Sequence, residues 1–147
     1  MTDMHLIKLC VGVDSLEHLV AWQTMRLEKL GLAGAPRELI HRTRHTPRQA
    51  EAVLKSGSLY WVIKGSIKAR QKILELREET DSEGRTLCGI VLDHALMATR
   101  PQPRRAFQGW RYLHPDDAPL DLGPAHGADE GEIPAEMRAE LAALSLL

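Results

Sequence analysis

Read as an extended strand, residues His5–Val13 are apolar on both faces. Ile7, Leu9, Val11 and Val13 alternate onto one side, while Leu6 and Cys10 keep the other side largely apolar. A strand buried on both faces belongs inside a sheet rather than at its edge. The rest of the chain must therefore supply neighbours for it.

Those neighbours are legible downstream. Asp14 offers an N-cap with Glu17 three residues on, a capping-box-like start. The following helix, about residues 15–30, carries Leu16, Leu19, Val20, Leu27 and Leu30 on one stripe and ends at Gly31. Trp22 lies off that stripe and is expected to be buried by a second covering surface. Glu38–His45 reads as a short strand, and Pro47 suits the first position of a helix over 47–55. Leu59–Lys64 holds Tyr60, Trp61, Val62 and Ile63, all strong strand formers.

Residues 67–79 carry two conflicting signals. Their composition favours helix by propensity, yet Ile67, Ile73, Leu74 and Leu76 do not share one helical face. As a strand they alternate, with a slip between Ile73 and Leu74 that a bulge absorbs. A turn at Asp81–Gly84 then joins them to an apolar strand, Leu87–Leu92, as a hairpin. Arg100–Arg105 contains Pro101 and Pro103 and is expected to be extended or polyproline-like. The fold class is thus α+β: a mixed, partly closed sheet of five or six strands with two or three flanking helices. One domain is expected over residues 1–114. Residues 115–147 read as an acidic linker or tail with a short helix starting near Pro134.

No apolar run is long enough to cross a bilayer as a helix, and the first residues lack a secretory pattern. Cys10 and Cys88 are far apart and fit no metal or redox spacing, so two free thiols in a reducing cytoplasm are expected.

The net charge of −1 hides a segregation. Residues 1–36 sum to −1; residues 37–114 hold fifteen Lys/Arg against eight Asp/Glu, or +7; residues 115–147 hold one against eight, or −7. Such a field draws anions to the middle of the chain. Five of the six aromatics lie in that basic region, in Tyr60-Trp61 and in Phe107–Tyr112. Arginine forks match phosphate, and aromatic faces stack on unpaired bases. The candidate ligand-binding set is Tyr60, Lys64, Arg70, Gln71, Arg100, Arg104, Arg105, Trp110, Arg111 and Tyr112. Trp61 reads as core; Trp110 and Tyr112 either stand exposed or cover a sheet edge.

Catalytic signals are sparse. His41 and His45 lack a carboxylate or cysteine to complete a metal set, and the arginines between them repel a cation. No nucleophile motif or phosphate loop is present, so no cofactor is expected. The leading expectation is a non-enzymatic module binding RNA or a nucleotide-like anion in a basic, aromatic-lined cleft between Arg70/Gln71 and Arg104–Tyr112. The alternatives are an enzyme using His94 or His114 as proton-transfer group on a small anionic substrate, and a protein-interaction module.

Three stretches carry a resemblance: His5–Gly12; Gly57–Gly65 with Arg70-Gln71; and Pro103-Arg104-Arg105 with Phe107–Leu113. They resemble a family of small bacterial proteins recorded as a domain of unknown function, over roughly residues 4–122, with the acidic tail outside the shared part. A weaker similarity, to the PUA-like barrels that include the ASCH and EVE modules, implies a compact barrel with a basic, aromatic-lined cleft for RNA or modified bases.

Overall fold

A computed structural model describes residues 4–125. The first strand, β1 (His5–Leu9), lies inside the sheet as expected, with β3 (Ser58–Ile63) parallel on one side and β6 (Trp110–Leu113) antiparallel on the other. It is shorter than its apolar run. Gly12 adopts φ +82° and Val11 is exposed, so the chain turns away after Leu9. Every residue of β3 is buried, as its apolar run from Leu59 to Ile63 requires.

The remaining strands are β2 (Leu39–Thr43), β4 (Ser66–Thr80), β5 (Thr86–Pro103) and β7 (Asp121–Pro124). They complete a mixed seven-stranded sheet in the order β2-β5-β4-β3-β1-β6, with β7 pairing β5 off that path. All pairings except β1–β3 are antiparallel. Two helices, α1 (Leu16–Leu32) and α2 (Ala50–Ser56), and a 3₁₀ turn at Pro115–Asp117 accompany it. The α+β class holds; the likeness to PUA-like barrels is not confirmed, since the sheet is unclosed.

Residues 67–79 are strand, and the slip expected at Ile73-Leu74 is present. The register moves from Ile73↔Leu92 to Glu75↔Val91, and the extra residue, Leu74, is thrown outward and half-exposed. Lys64 (φ +49°) and Gly65 (φ +82°) form the two-residue turn from β3 to β4, where both positions need positive φ.

Four local expectations are corrected. Ser15, not Asp14, caps α1: its hydroxyl accepts the His18 N–H at 3.0 Å. Trp22 is 47% exposed rather than buried, because no second layer among the described residues covers that side of α1. The second helix starts at Ala50 rather than at Pro47. The Arg100–Arg105 stretch is not separate from the sheet: β5 runs through Pro101 to Pro103. Pro101 falls in the irregular stretch between the Ala69↔Ala98 and Ile67↔Gln102 pairs, and Pro103 ends the strand, so the missing N–H groups cost little there.

Beyond residue 114 the described chain folds back as the 3₁₀ turn and β7, although its composition reads as linker. The helix expected near Pro134 lies outside the described residues. No helix among the described residues is long and apolar enough to cross a membrane.

The main core gathers Leu6, Leu59, Trp61, Ile63 and Ile73 with Leu19 and Val20 of α1 and Val53 of α2. A smaller cluster on the other face joins Ile7, Tyr60, Val62, Ile67 and Leu113, with Phe107 packed against it.

Candidate functional site

The two terminal strands of the path share no ladder, yet side chains bring them together. Trp110 on β6 donates its indole N–H to the His45 carbonyl, just past β2, at 2.8 Å. The Tyr112 hydroxyl accepts the Gln49 N–H at 3.0 Å, at the entrance to α2. The rings themselves stack edge to face, centroids 4.9 Å apart. Between these contacts lies an open groove of about 1180 Å³, lined by Lys8, Arg42, Arg44, Arg48, Trp110 and Tyr112 among others. No carboxylate belongs to its described lining. Arg42 is partly neutralised by Glu79, Nε to Oε1 at 2.6 Å.

Strand periodicity divides the Trp110-Arg111-Tyr112 run. Lys8 pairs with both Trp110 and Trp61, so these three share the helix-covered face; Ile7 pairs with Arg111. The Arg111 guanidinium accordingly sits on the opposite face, 5.8 Å from the Phe107 ring centre. There, with Arg104 and Arg105, it borders a separate hollow of about 420 Å³.

The predicted set is therefore not one cleft. Trp110 and Tyr112 line the groove. Arg104 and Arg105 border the hollow behind β6, where Arg104 also binds Gln102 Oε1 at 3.0 Å, while Arg111 and Tyr112 border both the hollow and the groove. Arg70 is engaged elsewhere: its fork meets both carboxylate oxygens of Asp121 at 2.7–2.8 Å and donates to Ser58 Oγ. That pairing holds the Asp121 carboxyl below its ordinary range. Lys64 is exposed in its turn, 3.8 Å from Asp14. Arg100 is exposed on β5.

Tyr60 and Gln71 are buried and present nothing to a ligand. Tyr60 packs against His5, its phenol pKa raised by burial. Gln71 exchanges two 2.9 Å bonds with Gln23 of α1, accepts the Trp61 indole N–H at 2.9 Å and donates to the Asp93 carbonyl. It is a buried polar junction between α1, β3, β4 and β5. Trp61 is core, as expected.

A third cavity, about 350 Å³, opens between α1, the loop after β1 and the sheet. Trp22, Trp61, Leu19, His41, Lys8 and Arg26 are among its walls. His41 stacks edge-on to Trp61 at 5.2 Å, and its Nε2 is buried without a hydrogen-bond partner. Burial, reinforced by Lys8, lowers the His41 pKa to about 4, so the ring is neutral at pH 7. Cys10, also in this wall, has its thiol pushed up to about 12 by burial.

The histidines weighed for acid–base chemistry lie apart from these cavities. His94 is exposed on an irregular stretch of β5, its Nε2 2.7 Å from the Arg37 carbonyl. His114 caps the 3₁₀ turn, its Nδ1 accepting the Asp116 N–H. Neither lines any of the three cavities. No metal-ligating cluster occurs among the described residues. Lys8 and Arg48 are the groove cations that sequence reasoning missed. The segregated charge was the available signal, but their convergence depends on the two sheet ends meeting.

The chain matches the model of the family described as "Protein of unknown function (DUF1489)" over residues 6–147. It belongs to that family. The match reaches through the acidic C-terminal stretch, which the sequence resemblance had placed outside the shared part. No curated protein and no solved structure matches the chain.

Proposed function

We propose that the groove between β2, α2 and β6 binds single-stranded RNA or a nucleotide-like anion, as a binding module rather than a catalyst. One observation carries this reading: Lys8, Arg42, Arg44 and Arg48 converge with Trp110 and Tyr112, and no described lining residue is acidic. Cationic side chains gathered in a concave surface concentrate an anion well above its bulk level. Arginine forks grip phosphate, and aromatic edges and faces accept bases whatever their identity.

The groove is wide and open, which suits a chain of linked phosphates better than one small metabolite. Among its described lining residues no acid is paired with a base, which supports binding without turnover. Fluorescence anisotropy with a labelled single-stranded RNA dodecamer at low salt tests the reading. Saturable binding competed by unlabelled RNA is expected; no binding at about 50 mM salt overturns it.

A further inference from the structure

The groove and the cavity under α1 are neighbours, and Lys8 lines both. Its register places it between Trp61, a wall of the cavity, and Trp110, a wall of the groove, all on one face of the sheet. Resting on the anion-binding reading of the groove, we propose that the two spaces receive two halves of one nucleotide. The base enters the cavity beneath α1, and its phosphate stays in the groove beside Lys8, Arg42 and Arg44.

The cavity has the character of a small-molecule site. About 350 Å³ is ample for one nucleobase, and the walls are mainly apolar and aromatic with few polar groups. Trp61 and His41 supply ring surfaces from inside, and Trp22 stands half-exposed among the walls from α1. The wall also holds the buried, unpaired Nε2 of His41. An unpaired polar atom there favours a ligand with hydrogen-bonding edges over a hydrocarbon chain. The groove alone accepts any polyanion. The adjoining cavity makes the preferred ligand one with an unpaired, extruded base.

Calorimetric titration of the full chain with the four 5′-mononucleotides and with ribose 5-phosphate tests this. The best mononucleotide is expected to bind about tenfold or more tighter than ribose 5-phosphate, the factor that one stacked base contributes. Trp22→Ala, at an exposed position, is expected to reduce that advantage severalfold and to leave ribose 5-phosphate affinity unchanged. Equal affinity of ribose 5-phosphate and all four mononucleotides overturns the base pocket, whatever the variant does. In that case an RNA dodecamer that still binds leaves the groove reading standing, and one that does not removes both.

Discussion

Trp110 donates its indole N–H to the carbonyl of His45, 2.8 Å away, and so ties the last strand of the sheet path to the segment following β2 at its other end. The two strands share no ladder, so the groove's width depends on this bond and on the Tyr112–Gln49 bond beside it. Trp110→Phe keeps an aromatic ring but leaves the His45 carbonyl without that donor. Expected are a loss of about 1 kcal/mol in denaturant stability and faster amide exchange in β6. Unchanged β6 protection would argue that the tie is incidental.

Gln71 presents a larger dependence. Its carboxamide joins Gln23, the Trp61 indole and the Asp93 carbonyl inside the core. Gln71→Leu strips partners from the buried Gln23 amide and the Trp61 N–H together, and should cost about 2–4 kcal/mol. Replacing Gln23 by Leu as well should cost less than the two single changes summed, since neither amide is then left alone. Chemical denaturation of both single variants and the double variant measures the coupling; strict additivity would contradict the network.

The neutral, largely buried His41 ring makes stability depend on pH. Its folded pKa, about 4, lies below the ordinary 6.5. Between those values the unfolded chain binds a proton that the folded chain refuses, so stability rises with pH across this window. Acidifying from pH 7 to 4 should therefore remove up to about 2–3 kcal/mol through this residue. Asp121 acts in the same direction lower down: its carboxyl is depressed by Arg70, so its contribution disappears as pH falls below about 4. His41→Phe should flatten the slope between pH 6.5 and 4. A slope identical to that of the parent would assign it to other groups.

Cys10 should be a slow thiol. With its pKa pushed to about 12, almost none is thiolate at pH 8, and alkylation by iodoacetamide should lag a free cysteine by orders of magnitude. A ligand in the cavity that Cys10 lines should slow it further. Rapid modification of the native chain would show that wall to be open.

The sheet was legible where apolar alternation is local. β1, β3 and the bulged β4 follow from side-chain order, and the Ile73-Leu74 slip was visible as a break in phase. The prolines of β5 hid its length, because their tolerance depends on a register irregularity that no local pattern encodes. β7 was hidden by its composition: a four-residue strand held through Arg70 and Asp121 carries little apolar signal. The candidate site was legible only in part. Trp110 and Tyr112, singled out together in the sequence, do lie together in the groove, but Arg70 pairs with an acid 51 residues away and Gln71 lies in the core. Lys8, Arg44 and Trp110 are distant in sequence. The β1–β6 ladder pairs Lys8 with Trp110, and the approach of β6 to the end of β2 adds Arg44.

The most direct measurement is the salt dependence of RNA affinity in the parent chain and in Arg44→Ala/Arg48→Ala, whose side chains are exposed in the groove. Each phosphate of a single strand that is no longer neutralised should flatten the plot of log K against log salt by about 0.7. The double variant should therefore have a slope shallower by about 1.4, while Trp110→Ala weakens binding with the slope retained. A parent affinity indifferent to salt, or a double variant with the parent's slope, would contradict the groove as the seat of binding.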